Sequence, residues 1–66
     1  MNAAQRKADR ELLQANPQIG VLRKEGRTVY YVYPINGGYR ESSDLSSLVG
    51  CRGLVLLVKK DRANRR

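Results

Sequence analysis

The stretch TVYYVYPINGGYRES, residues 28–42, holds all four tyrosines of a chain that has no Trp, Phe or His. Tyrosine rings stack on nucleobases and guanidinium groups neutralise phosphates, a combination that proteins use to bind single-stranded nucleic acid. Arg40 belongs to this stretch, and Lys24 and Arg27 lie just before it. These residue types indicate a nucleic-acid contact, provided that the strands gather rings and cations on one surface.

The same tyrosines allow two other interpretations. Tyrosine is a favoured strand residue that sits half-buried with its hydroxyl in water, so four of them need no ligand. Leu22 and Val29, which we expect on the same surface, indicate instead that something covers it. A protein interface or the seam of a homodimer would be such a cover. From the sequence alone, all three interpretations stay open.

The chain offers little for catalysis or metal binding. It lacks histidine, and each of its Asp and Glu residues has a basic residue or a predicted helix start nearby, so none is expected to act as a general acid or base. Cys51 is the only cysteine, and it lacks both an activating base and the partners that zinc needs. We therefore expect no enzyme, no catalytic residue, no metal, no cofactor and no small-molecule substrate.

In size and charge the chain resembles the small bacterial toxin ribonucleases of the RelE type, which cleave RNA with Tyr, Arg and Lys and do not require His. This resemblance implies that Tyr33, Arg40 and Arg52 would lie near a scissile phosphate.

Positive charge is in clear excess, with 13 Lys and Arg against 6 Asp and Glu and a formal net charge of +7. More than half of this excess lies in residues 59–66. Such a balance favours polyanionic partners, and nucleic acid first among them. The residues that we assign to nucleic-acid binding are Arg6, Lys7, Arg10, Lys24, Arg27, Tyr31, Tyr33, Arg40, Arg52, Lys59, Lys60, Arg62, Arg65 and Arg66.

A chain of 66 residues buries only about 60% of the surface that its unfolded form exposes. So thin a core favours self-association, and we expect a homodimer.

The longest apolar run, GLVLLV, is far short of the ~20 residues that a membrane span needs. The N-terminal segment is polar and lacks the apolar stretch of a secretory signal. The single cysteine fits a reducing compartment. We therefore expect a cytoplasmic protein without membrane contact. We assign residues 1–58 to a single domain and 59–66 to a basic, disordered tail.

The first element that would position these residues is a helix. Asn2 and Gln5 form a capping pair, and Pro17 stops the helix. Its apolar stripe consists of Ala4, Ala8, Leu12 and Ala15. The opposite side carries cations, whose simplest role is that of a solvated face.

A three-stranded antiparallel meander should pack on this helix. β-Branched and aromatic residues predict the strands, and Glu25-Gly26 and Asn36-Gly37 predict the two tight turns between them. The predicted strands are 19–24, 27–35 and 38–42. A short helix over 42–50 and a last strand over 51–60 complete the order α-β-β-β-α-β, which is a small α+β domain.

Strand register decides which side chains share a surface. A turn at Glu25-Gly26 pairs Val21 with Tyr30. One face then carries Ile19, Val21, Tyr30 and Val32. The other carries Gly20, Leu22, Lys24, Arg27, Val29, Tyr31 and Tyr33. A two-residue turn, at Asn36-Gly37 or at Gly37-Gly38, adds Arg40 to this second set, and only a three-residue loop would reverse that assignment.

The residues that flank this second set carry two further expectations. Tyr39 should lie on the face opposite to Arg40, because neighbouring residues of a strand alternate. Gly20 and Gly38, beside the rings, would let a strand of nucleic acid approach the backbone closely.

The sequence thus predicts a small basic nucleic-acid-binding module, regulatory or accessory, that contacts phosphates through Lys and Arg and bases through a Tyr-rich sheet face. The alternative is a regulator or inhibitor of the kind carried by phages and mobile elements. Such a protein would dock on a host protein through its exposed Tyr-rich strand or its last strand.

Overall fold

Six elements follow one another along residues 3–63, the part of the chain that the structure, a computed structural model, describes. They are α1 (Ala3–Ala15), β1 (Gly20–Lys24), β2 (Arg27–Val32), β3 (Arg40–Ser42), α2 (Ser46–Val49) and α3 (Val55–Ala63). The strands form one antiparallel sheet in the order β1-β2-β3. The predicted α+β class and the order of the first five elements are confirmed, and the last element differs.

Helix α1 ends where the sequence predicts, but a different side of it faces the sheet. The Asn16 side chain donates a hydrogen bond of 2.7 Å to the carbonyl of Leu12, which satisfies one of the open carbonyls of the last turn. Leu12 and Leu13 pack against the core, whereas three alanines of the predicted stripe, Ala4, Ala8 and Ala15, are exposed. Two adjacent leucines bury more apolar area than the alanines would, so they set the rotation of the helix. The predicted cap residue, Asn2, lies outside the described residues.

The hairpin of β1 and β2 has the predicted register. Glu25 and Gly26 have φ angles of 51° and 77°, the left-handed pair that a tight hairpin turn requires. Val21 pairs with Tyr30, and Gly20 pairs with Tyr31. We call the side of the sheet that bears Val21 and Tyr30 the first face, and the side that bears Gly20 and Tyr31 the second face.

Strand β3 is shifted by one residue from its predicted register. Arg40 pairs with Val32, whereas the predicted turn would pair it with Tyr33. The turn itself lies earlier, with the Gly37 N–H bonded to the Pro34 carbonyl at 3.0 Å. Because a shift of one residue moves every side chain to the other side of a strand, Arg40 belongs to the first face, and its predicted place beside Tyr31 is wrong.

The core lies between the first face and the two helices that cover it. It consists of Ile19, Tyr30, Val32, Leu45 and Leu48. Helix α2 is a single turn, and the carboxylate of Asp44 accepts the backbone N–H of Ser46 at 3.2 Å just before it begins. The predicted short helix is therefore present, with an acidic side chain at its start.

The predicted last strand is wrong. The segment pairs with the sheet only at a bridge between Pro34 and Gly53, and then continues as α3. A strand that continued from this bridge would extend along β2, but Tyr31 of β2 already pairs with Gly20 on one side and with Glu41 on the other. Because β2 has no free edge there, the backbone of the segment forms its hydrogen bonds within a helix, which its Leu and Lys residues favour.

Helix α3 lies against the second face. Val58 is completely buried, and the Tyr33 hydroxyl donates a hydrogen bond of 2.8 Å to Asp61. Arg62 donates one of 3.3 Å to the Ile19 carbonyl. Residues 59–63, which the sequence assigns to a disordered tail, are thus helical, and residues 64–66 lie outside the described part. No helix among the described residues has the length and apolarity to cross a bilayer.

Candidate nucleic-acid interface

Three tyrosine rings form a cluster on the second face. The ring centroids of Tyr31 and Tyr33 are 5.8 Å apart, nearly edge to face. Tyr39 lies 5.9 Å from Tyr31 and 5.4 Å from Tyr33. The shifted register of β3 brings Tyr39 to this face, so its predicted position on the opposite face is wrong. Such contacts stabilise aromatic pairs by about 0.5–1.5 kcal/mol beyond the area that they bury.

This cluster is not a platform for bases. Tyr31 is only 3% exposed, and its ring lies directly over Gly20. A base cannot stack on a buried ring, so the predicted stacking role of Tyr31 is wrong. Gly20 is covered as well, and the predicted approach of nucleic acid to its backbone is wrong for the same reason. Tyr33 is partly buried, which leaves Tyr39, 49% exposed, as the open member of the cluster.

Two of the tyrosine hydroxyls are bonded to carboxylates. The hydrogen bond to Asp61 and partial burial raise the pKa of Tyr33. Partial burial, together with the hydrogen bond of 3.0 Å that the hydroxyl donates to Glu41, raises the pKa of Tyr39 to about 12. The pKa of Glu41 is lowered, first by the hydrogen bond from Lys24 and then by that from Tyr39. These hydroxyls therefore serve the fold as hydrogen-bond donors.

The residues that the RelE-type resemblance places around a scissile phosphate are not brought together. The Tyr33 hydroxyl is bonded to Asp61 on the second face, and Arg40 lies on the first. Two of the three groups therefore lie on opposite sides of the sheet. The Tyr-rich strand of the host-protein alternative is also not exposed, because β2 is the central strand of the sheet.

Most cations of the described residues have no acidic partner. Between residues 3 and 63 the one ion pair joins Lys24 and Glu41, at 2.9 Å. The other acids with bonds are used internally: Asp9 accepts from Gln5, Asp44 from Ser46 and Asp61 from Tyr33. The positive charge of the chain is therefore largely free to act on an external anion.

Three arginines line one groove between α1 and the tip of the β1–β2 hairpin, which we call the arginine groove. Its lining residues are Arg6, Asp9, Arg10, Leu13, Arg23, Thr28 and Tyr30. Arg6 and Arg10 are one turn apart and thus share a side of the helix. Arg23 reaches the groove from the first face and donates hydrogen bonds to Thr28 Oγ1 at 3.3 Å and to the Gly26 carbonyl at 3.1 Å. Asp9 is the one acid in the lining.

The remaining predicted cations are spread around the molecule. Lys7 lies beside Arg6 and Arg10 on α1, next to the groove. Lys24 and Arg27 line a shallow cleft at the hairpin tip, which they share with Glu25 and Glu41. The exposed cations away from the groove are Arg40, Arg52, Lys59 and Lys60. Arg62 is bonded to the Ile19 carbonyl, and Arg65 and Arg66 lie outside the described residues.

Arg23 is a site residue that the sequence reasoning missed. Strand alternation could have indicated it, because residue 23 lies on the same face as Val21. This is the face that α1 covers. What was missing was the rotation of α1, which turns Arg6 and Arg10 toward that end of the hairpin.

Within residues 3–63, no group of His, Cys, Asp and Glu side chains is arranged to hold a metal ion. No known protein family, curated protein or solved structure matches this chain.

Proposed function

We propose that this protein binds the phosphate backbone of nucleic acid through the arginine groove. The observation that carries the proposal is the convergence of Arg6, Arg10 and Arg23 on one groove, where Asp9 is the sole acid of the lining. Guanidinium groups match phosphate in geometry, since they offer several donors in a fixed plane.

The groove arginines have guanidinium N–H groups that form no hydrogen bond with other described residues. The side chains of Arg6 and Arg10 form no hydrogen bond or ion pair with other described residues, and Asp9 accepts instead from Gln5 at 3.2 Å. Arg23 uses donors on two of its nitrogens for Thr28 and Gly26, and a guanidinium has five N–H groups. These bonds also hold Arg23 in place before binding, which lowers the entropy that binding costs.

The ligand that fits this groove is a backbone rather than a base. Phosphate contacts carry no sequence information, and the rings that would read or stack bases are buried or bonded on the second face. We therefore expect sequence-independent affinity for double-stranded and single-stranded nucleic acid, steeply dependent on salt. The net charge of +7 would speed the encounter over a longer range.

The test compares two double variants of equal charge. Arg6→Gln with Arg10→Gln removes two cations from the groove, and Arg40→Gln with Arg52→Gln removes two exposed cations elsewhere. Binding to a fluorescent 20-base-pair duplex, a probe of roughly two helical turns, is measured by anisotropy at several salt concentrations. The groove variant should bind at least ~10-fold more weakly. Its plot of log affinity against log salt concentration should be less steep by ~2, about one for each lost phosphate contact.

Two results would overturn the proposal. Equal losses in the two variants would mean that net charge acts without a site. A wild-type dissociation constant above ~10⁻⁴ M at low salt would fall outside even non-specific binding.

The homodimer and the cytoplasmic setting predicted from the sequence remain part of the proposal. Among the described residues, eight hydrophobic side chains are buried, a small core for an independent chain, and self-association would enlarge it. Light scattering across a range of concentrations tests the dimer directly.

A further inference from the structure

The outer side of helix α3 exposes leucines beside lysines. Leu56 is 80% exposed and Leu57 38%, and Lys59 and Lys60 are exposed as well. In a helix, residues three and four positions apart share a side, so Lys59 and Lys60 lie next to Leu56, one turn further along. We call Leu56, Leu57, Lys59 and Lys60 the α3 outer face.

The exposure of these leucines follows from how α3 is held. Its inner side is anchored by the buried Val58, by the bond from Tyr33 to Asp61 and by the bond from Arg62 to the Ile19 carbonyl. Rotating the helix to bury Leu56 would break all three anchors. The leucines of the α3 outer face are therefore exposed in the folded protein.

The two charged side chains one turn after Leu56 are both positive. Lys59 and Lys60 have no carboxylate partner among the described residues, and the nearest acid along the helix, Asp61, is bonded to Tyr33 on the inner side. A partner that covers the leucines must also bring negative charge next to the lysines, since like charges in a desolvated contact oppose binding.

Three other occupants fit less well. A second copy related by a two-fold axis would present the same residues, so it could cover the leucines but would bring no carboxylate to the lysines, because its Asp61 is bonded to Tyr33. A lipid surface requires an apolar stripe along the whole helix, whereas here the leucines precede the lysines along the chain. Nucleic acid would satisfy the lysines but would leave the leucines beside phosphates.

We propose that the α3 outer face docks an acidic, amphipathic segment of another protein, whose apolar side chains cover Leu56 and Leu57 while its carboxylates pair with Lys59 and Lys60. Apolar surfaces of this kind bind amphipathic helices through apolar side chains that recur at helical spacing. The surface lies on the second-face side of the sheet and the arginine groove on the first-face side, so this inference does not depend on nucleic-acid binding.

The test uses a synthetic helical peptide of about 18 residues, labelled for anisotropy, with Leu along one side and Glu at the borders of that side. A peptide of the same composition with scrambled order is its control. The wild-type chain should bind the amphipathic peptide at least ~10-fold more tightly than the scrambled one, because only the former presents its leucines together.

Variants then locate the site. Leu56→Ser should weaken peptide binding at least ~10-fold, and Lys59→Gln with Lys60→Gln about 5-fold at low salt. Ile35→Ser removes an apolar side chain that is 60% exposed outside α3, and it should leave binding unchanged. Leu56 is so exposed that its replacement should not disturb folding, which circular dichroism verifies.

Three results would overturn the inference. Equal binding of both peptides would show that charge alone acts. A dimer by light scattering that Leu56→Ser dissociates would assign the surface to a second copy. Leu56-dependent binding to vesicles of phosphatidylglycerol and phosphatidylcholine in equal parts, without peptide binding, would assign it to lipid.

Discussion

The ring of Tyr31 lies over Gly20, its cross-strand partner, on the second face of the sheet. Glycine leaves the space that the ring fills, and the ring in turn shields the glycine backbone, a pairing that stabilises glycine in strands. Tyr33 and Tyr39 pack against the same ring. The packing of the second face thus explains three of the four tyrosines without a ligand for each ring, and the fourth, Tyr30, belongs to the core on the first face.

This relationship predicts that Gly20→Ala destabilises the protein. A methyl group at this position would overlap the Tyr31 ring, and overpacking of that kind costs about 1–3 kcal/mol. Thermal unfolding followed by circular dichroism should show a clearly lower midpoint. Gly50→Ala is the matched control, because a methyl group there meets no atom within 4 Å and its φ of −82° suits alanine. Equal midpoints for the two variants would contradict the packing of Tyr31 over Gly20.

Glu41 predicts a pH dependence of stability. Its pKa lies below the ordinary value of 4.5 because Lys24 and then Tyr39 donate hydrogen bonds to the carboxylate. A carboxyl group with a lowered folded-state pKa stabilises the fold above its unfolded pKa, and this contribution is lost as the pH falls through the folded pKa. The free energy of unfolding should therefore fall as the pH drops below 4.5 and through the lowered pKa of Glu41, and it should fall by less in Glu41→Gln. Urea titrations across this range measure it.

The control for that measurement is Glu11→Gln, which removes the same charge from an exposed position on α1. If the acid sensitivity of Glu11→Gln were reduced as much as that of Glu41→Gln, the bonds to Lys24 and Tyr39 would not be its cause.

The hydrogen bond from Tyr33 to Asp61 is expected to hold α3 against the sheet. Tyr33→Phe removes the hydroxyl that bonds to Asp61, so α3 should detach more often, and trypsin should cleave faster after Lys59 and Lys60 because cleavage requires local opening. Mass spectrometry of timed digests identifies these sites. Tyr39→Phe loses the same type of bond, but to Glu41 of β3, and it should keep the wild-type rate at α3. Indistinguishable rates in both variants would rule out this anchor.

Tyr39 is the most exposed ring of the cluster, yet we expect it not to contribute to nucleic-acid binding. Tyr39→Ala should change the affinity for single-stranded and duplex DNA by less than ~2-fold, because the arginine groove lies on the other side of the sheet. A stacked ring contributes about 1–3 kcal/mol per base, which would appear as a loss of at least ~5-fold for single strands. Anisotropy titrations with both forms of DNA distinguish these outcomes.

The arginine groove could not be predicted from the sequence, although the element of each of its arginines could. Arg6, Arg10 and Arg23 can each be assigned to a helix or a strand from local patterns. Their convergence depends on the rotation of α1, which is decided by Leu12 and Leu13 packing on the first face. Charge can be counted along a chain, but the distance between charges that are far apart in sequence is a property of packing.

The sequence by itself determined the first helix and its end, the β1–β2 hairpin with its register, and the excess of positive charge. These features follow from neighbours in the chain, such as the left-handed turn at Glu25 and Gly26. Only the tertiary structure decided the face of Arg40 and the helical state of the last segment. The turn signal at Asn36-Gly37 is followed by a second glycine, so more than one turn is possible there, and an apolar run such as GLVLLV suits strand or helix equally. The turn that the Gly37 N–H closes on the Pro34 carbonyl fixed the face of Arg40, and the pairing of β2 with β1 and β3 on both sides of Tyr31 left the last segment no edge of β2.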